Sequence, residues 1–416
     1  MSDVPLSVLW LSGPSGAGKS SAGWEVFAQL GRAGVTAAFV DGDQIGLCYP
    51  DPDGGPHAIR ARNLAAMLPN FRREGVRRVV LAGFVDTRDE IGAYTSLMPD
   101  VAFTVCRLRV DASELERRFL GRGWRPDLVA QTVAEALAQD RTDYADLCVD
   151  STGLTAGETA RLILSRTGDR PHTTSGPSTT SGPSTTSGPS TTSGPSTTSG
   201  PSTTNGRNEA STMGGPAPAG GFEGPAVEGE PVPVLWFSGA TGTGKSTVGY
   251  KVFSQVVRTG VRAAYVDVKQ IGALRPAPHD DPDLRRLVAG NLAAVWAGHR
   301  AAGARCLIVS GGPDTDDVIR ACAARLPKID LTVCRLHAAP ATLAERIRLR
   351  AGGQAPQLPG DELKGLGPRA LDRVAERAAA EAEALERAGS GDLRLETDGR
   401  AAQELATLVR ERALPW

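Results

Sequence analysis

The 416-residue chain carries 46 basic and 47 acidic residues, a net charge of −1, with 40% hydrophobic positions. Its length predicts two or three domains, each long enough to bury its own core. The charge balance excludes attraction to nucleic acid or an anionic membrane as the surface's main role, and no stretch approaches the ~18 apolar residues needed to cross a bilayer.

Met1-Ser2-Asp3-Val4-Pro5 has no basic region, and the apolar run from Leu6 to Leu11 leads directly into a glycine loop. It reads as a buried strand rather than a secretory signal, so a cytoplasmic location is expected. The cysteines (Cys48, Cys106, Cys148, Cys306, Cys322, Cys334) form no C-x-x-C pair and no zinc spacing, and read as reduced small residues. Apolar strands are predicted at 7–12, 36–41, 77–84, 101–110 and 146–151, with amphipathic helices at roughly 19–31, 57–74, 87–97, 113–120 and 127–141. Ser113 with Glu116, and Thr155 with Glu158, have capping-box spacing. Continuous apolar strands separated by helices predict a mainly parallel sheet covered on both faces, a three-layer α/β/α fold.

Between the first strand and helix stands Gly13-Pro14-Ser15-Gly16-Ala17-Gly18-Lys19-Ser20, followed by Ser21, which fits G-x-x-x-x-G-K-[ST]. Glycines let successive backbone N–H groups turn toward one anion, and the helix that follows adds its positive end. Lys19 would reach the β- and γ-phosphates, and Ser20 would offer its hydroxyl to Mg²⁺. The Asn-Lys-x-Asp signature of guanine recognition is absent, so ATP is the expected nucleotide. The second strand ends in Asp41-Gly42-Asp43, whose carboxylates would point toward the loop, Asp41 to the metal and Asp43 to the metal or an acceptor hydroxyl. Arg60, Arg62 and Asn63 follow on a helix, then Phe84 at a strand end. Arg117, Arg118, Arg122 and Arg125 cluster around Gly121 and Gly123 like a lid that neutralises a transferring phosphoryl group.

From Thr173 to Ser202 the hexapeptide Thr-Thr-Ser-Gly-Pro-Ser runs five times, and polar Gly/Pro-rich sequence continues to about Glu230. With almost nothing apolar to bury, residues 171–231 read as a disordered linker of roughly 40–45 Å r.m.s. span, which lets the flanking bodies (1–170 and 232–416) meet without fixing their geometry. Those bodies are copies. Val8-Leu9-Trp10 matches Val234-Leu235-Trp236 at an offset of 226, and after a short insertion Asn63-Leu64-Ala65-Ala66 matches Asn291-Leu292-Ala293-Ala294 at 228. Near the end Asp146-Leu147 pairs with Asp392-Leu393 at 246, leaving about 18 extra residues in copy two. The loop recurs as Gly239-Ala240-Thr241-Gly242-Thr243-Gly244-Lys245-Ser246, then Thr247, with Asp267 at the place of Asp41. Lys269 replaces Asp43, and Val288 and Gly290 replace Arg60 and Arg62. Copy two is thus expected to keep nucleotide and metal binding, through these loop residues with Ser246 and Asp267, and to lose the acceptor.

Copy one resembles the P-loop small-molecule kinases, adenylylsulfate kinase most of all. That family's Asp-Gly-Asp-Asn corresponds to Asp41-Gly42-Asp43-Gln44, its Arg-x-x-Asn element to Arg60-Ala61-Arg62-Asn63, and its aromatic-led strand end to Phe84. The resemblance covers about residues 6–167 and again 232–412, and implies that Asp43 acts at the acceptor hydroxyl while Arg60 and Asn63 hold the acceptor. Gln44 in place of Asn, and Asp86-Thr87 in place of Ser-Pro, leave gluconate- or antibiotic-type acceptors open. The expectation is an ATP- and Mg²⁺-dependent phosphotransferase acting on a small hydroxyl compound, with Lys19, Asp43, Arg118 and Arg122 catalytic. The alternative is a nucleotide-dependent switch or ATPase without an acceptor.

Overall fold

The computed structural model describes residues 6–121, 126–167, 230–312, 314–353, 360–361 and 363–414. Most of the expected linker, together with Arg122 and Arg125 of the lid, lies outside the described residues.

Copy one runs β1 (Ser7–Ser12), α1 (Lys19–Arg32), β2 (Ala37–Asp41), β3 (Cys48–Tyr49), α2 (Gly55–Arg73), β4 (Arg78–Ala82), α3 (Arg88–Thr95), β5 (Ala102–Arg109), α4 (Ala112–Leu120), α5 (Val129–Gln139), β6 (Leu147–Asp150) and α6 (Ala156–Thr167). Copy two runs β7 (Val232–Ser238), α7 (Lys245–Arg258), β8 (Ala263–Asp267), α8 (Val268–Ile271), β9 (Ala273–Arg275), α9 (Arg285–Ala301), β10 (Cys306–Ser310), α10 (Asp316–Ala323), β11 (Ile329–His337), α11 (Pro340–Ala351), α12 (Pro368–Arg387), β12 (Leu393–Glu396) and α13 (Ala402–Ala413). Much of the extra length of copy two sits in α12, which has 20 residues against 11 in α5.

Both sheets are six-stranded and mainly parallel, in the orders β6-β5-β1-β4-β2-β9 and β12-β11-β7-β10-β8-β3. Every residue of β1 and β2 is buried, as strands covered on both faces require. One face of the first sheet packs Leu9, Leu11 and Phe39 against Val26 and Phe27 of α1 and Ile163 of α6. The other packs Val8, Trp10 and Val40 against Met67 and Phe71 of α2, in a core that continues into Trp236, Leu292 and Trp296 of copy two.

The sheets are completed by exchange. The antiparallel edge strand of each comes from the other copy: Leu274 of β9 pairs with Ala38, and Cys48 of β3 pairs with Ala264. Ala38 and Ala264 are themselves equivalents, so the exchange follows a pseudo-two-fold. Sequence patterning did not anticipate either strand. Helix α2 lies against α9, where Asn70 donates to Asn291 Oδ1 at 3.0 Å and Arg286 forms a two-pronged pair with the enclosed side chain of Glu74 at 2.9 Å. The Arg275 guanidinium lies 5.7 and 5.4 Å from the ring centres of Trp24 and Phe27 on α1.

Of the two anticipated capping boxes, the second forms: Thr155 N–H donates to Glu158 (2.9 Å) and Glu158 N–H to Thr155 Oγ1 (3.2 Å). The first does not. Asp111, in extended conformation, precedes α4 and its carbonyl accepts from Leu115 N, so Ser113 falls inside the first turn.

Candidate functional site

The chain leaves β1 at the carboxyl end of the first sheet and must reverse sharply into α1. Gly13, Gly16 and Gly18 take φ of 139°, 89° and 91° to do so. A Cβ on Gly13 would stand 2.6 Å from the Leu108 carbonyl, so no other residue fits there. Helix α1 starts at Lys19 without a side-chain cap, leaving its N-terminal amides for an external anion. The Lys19 ammonium is buried and curls back over the loop, donating to the carbonyls of Gly13 (2.9 Å) and Pro14 (3.1 Å). Beside it, Ser20 Oγ donates to Asp41 Oδ2 at 3.0 Å, and Asp41 Oδ1 accepts from Asp43 N at 3.0 Å. The turn thereby locks the Asp41 carboxylate while carrying Asp43 out past the strand end.

Asp43 meets Arg60 of α2, Oδ1 to guanidinium nitrogen 2.6 Å, and Arg60 is only 5% exposed. Gly46 makes room for it, since a Cβ there would fall 2.6 Å from Arg60 Cγ. His57, one turn earlier on α2, lies 3.4 Å from a Glu90 carboxylate oxygen and 3.3 Å from the Tyr94 hydroxyl. Burial, then Arg60, push the His57 imidazole down to about 4 against the opposing pull of Asp43 and Asp86, so the ring is neutral at pH 7. Burial and the neighbouring Glu90 raise the Asp86 carboxyl. These groups line the margin of Asp43, yet His57, Glu90 and Tyr94 were not among the sequence candidates. Thr87-x-x-Glu90 was the one available signal: Thr87 Oγ1 accepts from Glu90 N at 3.2 Å, and Glu90 reaches back to Asp86 N at 3.1 Å.

Phe84 is half-buried just beyond β4. Arg118 on α4 stands beside the phosphate loop, 3.9 Å from where a Gly18 Cβ would be, held by Glu114 (2.8 Å) and the Ser151 carbonyl (2.9 Å). Arg62 is exposed. Asn63 faces the protein interior. It is completely buried, donates to the Ile45 carbonyl at 2.6 Å, and turns its Oδ1 toward Gly298 of copy two. Its equivalent Asn291 makes the same bond to Ile271, also at 2.6 Å, in the copy that lacks Arg60. Asn63 therefore braces the turn after β2.

In copy two, Gly239, Gly242 and Gly244 repeat the same backbone (φ 142°, 92°, 92°), and Ser246 Oγ donates to Asp267 Oδ2 at 2.8 Å. Thr243 Oγ1 is turned inward to the Ala240 carbonyl (2.8 Å), and Thr247 is exposed, like Ser21 in copy one. Lys269 stands where copy one has Asp43, its N–H bound to Asp267 Oδ1. Arg346, the counterpart of Arg118, is engaged with Thr397 at 2.8–2.9 Å.

For Mg²⁺, Ser20 and Asp41 offer a hydroxyl and a carboxylate, hard oxygens of the right kind. Among the described residues no group of three or more His, Cys, Asp or Glu forms a metal cage. That donor set suits an ion that keeps several waters and takes its remaining ligands from phosphate oxygens.

A glycine loop between the first strand and helix of a mainly parallel, helix-covered sheet defines a P-loop α/β protein, present here twice in one chain. No family model and no curated protein matches the sequence. Among solved structures, the tunicamycin resistance protein of Deinococcus radiodurans is similar at 18% identity, covering 39% of this chain and 96% of that one, with a TM-score of 0.32. The APS kinase of Mycobacterium tuberculosis, in complex with AMPPNP and APS, matches at 18% identity over 40% of this chain and 99% of its own, TM-score 0.30. Shikimate kinase from Acinetobacter baumannii, in complex with shikimate, matches at 16% identity over 44% and 93%, TM-score 0.29. No helix among the described residues is long and apolar enough to cross a membrane.

Proposed function

We propose that copy one transfers the γ-phosphoryl group of ATP to a hydroxyl of a small molecule. The observation that carries this is the Asp43–Arg60 pair at 2.6 Å, placed by the turn that locks Asp41 beside Ser20. A site for binding alone needs the loop, the lysine and the metal-facing oxygens. A second, oriented carboxylate beyond them has a use only when a further group must be aimed at the phosphoryl.

The loop amides and Lys19 hold the phosphates and neutralise their charge, and Ser20 with Asp41 would hold the metal, which would supply further positive charge to the phosphates. Arg60 fixes the rotamer of Asp43, which accepts the acceptor's hydroxyl proton as the oxygen attacks in line. Arg118, with its guanidinium anchored beside Gly18, faces the charge that spreads over the transferred group. Neutral His57, Glu90 and Tyr94 form the polar wall beyond Asp43 and suit an acceptor rich in hydroxyl groups. A cytoplasmic location agrees with this role.

The test is ADP production by the full chain over a panel of adenylylsulfate, sugars, nucleosides and aminoglycosides. One compound should raise turnover at least about tenfold over the acceptor-free rate. Lys19→Ala and Asp43→Asn should each lower the stimulated rate on the order of 100-fold or more, whereas Lys245→Ala should leave it within about twofold. ADP release that no compound raises would favour the nucleotide switch, and equal losses from Lys19→Ala and Lys245→Ala would place chemistry in both copies.

A further inference from the structure

The phosphate loop of copy two is covered from within its own domain. Along α12, Val374, Ala378 and Ala382 form an i, i+4, i+8 stripe that packs with Leu343 and Ile347 of α11 and with Ala240, a residue of the loop itself. That packing delivers Glu381, whose Oε2 accepts from the Thr241 N–H at 3.0 Å. Thr241 is the third residue of the loop, so a carboxylate oxygen stands against the loop's own backbone, bringing negative charge where a phosphate would bring it.

The charge around the loop agrees. Lys245 is half-buried, donates to the carbonyls of Gly239 (2.7 Å) and Ala240 (2.9 Å), and has the positive charges of Lys269 and Arg350 near it. Glu381 and Asp267 are acids that offset this positive charge. In copy one the residue at the matching place is Glu135, which accepts from Gln131 on its own helix at 2.7 Å; Arg377 replaces that glutamine in copy two.

The geometry points to an internal ligand: Glu381 occupies the phosphate cradle of copy two, which excludes nucleotide and leaves that copy as the structural half completing the sheet of copy one. The inference rests on reading G-x-x-x-x-G-K-S as a phosphate site, but it is independent of whether copy one performs transfer.

The experiment is calorimetric titration of the full chain with Mg²⁺ and the non-hydrolysable analogue AMPPNP. Glu381→Ala should bind one equivalent more than the unaltered chain, and that added site should tighten by at least about 100-fold, the scale at which a competing internal state is removed. Glu381→Gln, which keeps the shape and loses the charge, should gain the same site more weakly, and it carries the test if the alanine variant fails to fold. In both variants, Lys245→Ala added in the same chain should abolish the extra site. The inference is overturned if the unaltered chain takes up two equivalents, or if a folded Glu381 variant gains none. An unaltered chain that binds no analogue while Glu381→Ala binds one would sink the phosphotransfer reading and uphold this one.

Discussion

His299 illustrates how a duplication exposes the cost of a single side chain. It is fully buried on α9, and neither ring nitrogen has a hydrogen-bond partner. Burial pushes the imidazole down to about 3, so the native protein holds it neutral. Copy one has Phe71 at the equivalent place, also completely buried. Replacing two unsatisfied polar atoms by a ring of similar size should remove a desolvation penalty of about 1–3 kcal/mol. His299→Phe should therefore raise the melting temperature at pH 7. The gain should widen as pH falls from about 6.5 toward 3, because the unfolded histidine takes up a proton over that window and the native one does not, which draws the unaltered chain toward unfolding. Melting curves for the two chains at pH 7, 5.5 and 4.5 check both statements. A constant or shrinking difference on acidification would show that His299 has a partner or can charge in place.

At the scale of the element, the pairing of α2 with α9 depends on a missing side chain. A Cβ on Gly298 would stand 1.8 Å from Asn63 Oδ1. Asn63 cannot yield, since its amide is fixed to the Ile45 carbonyl and the residue is completely enclosed. Gly298→Ala should therefore force the helices apart and destabilise the chain by about 2–3 kcal/mol, read as a lower denaturant midpoint. Gly92→Ala, in α3 where a Cβ meets nothing within 4 Å, should be neutral or slightly stabilising. Equal effects would mean that the interface is loose.

These elements also show what a sequence reveals. The phosphate loops were legible because the chemistry dictates the residue types: only glycine fits at Gly13 and Gly239. The main strands were legible because burial on both faces demands continuous apolar runs. The exchanged strands β3 and β9 were not, being two and three residues long with partners in the other copy. A buried asparagine that ties a turn to a helix looks, in sequence, like one that faces a ligand, and the packing that seats Asn63 and Asn291 alike on their turns is not written in the local pattern. His57 and Glu90 come together from α2 and α3, and no local pattern encodes that meeting.

For the whole molecule, the exchange changes what the two halves are to each other. The Gly/Ser/Pro-rich composition of the linker gave no reason for fixed geometry, but the faces supply one. Each copy closes the other's sheet edge, Trp10 and Trp236 belong to one continuous core, and Glu74, only 5% exposed at its side chain, has its charge met by Arg286 across the boundary. Copy one alone would present β2 as an unpaired edge beside the bare apolar face of α2, the combination that drives self-association. The full chain is accordingly the object to assay. A protease site placed within the Thr-Thr-Ser-Gly-Pro-Ser repeats separates covalent from non-covalent connection. After cleavage at micromolar concentration the two fragments should elute together by size exclusion and keep the ADP-forming activity proposed for the intact chain. Residues 1–170 expressed alone should elute as aggregate or as a dimer that borrows a second copy of themselves. Fragments that part cleanly, with residues 1–170 monomeric and active, would mean that the shared sheets and core contribute less than the free energy of keeping two separate bodies together, and that the linker does the joining.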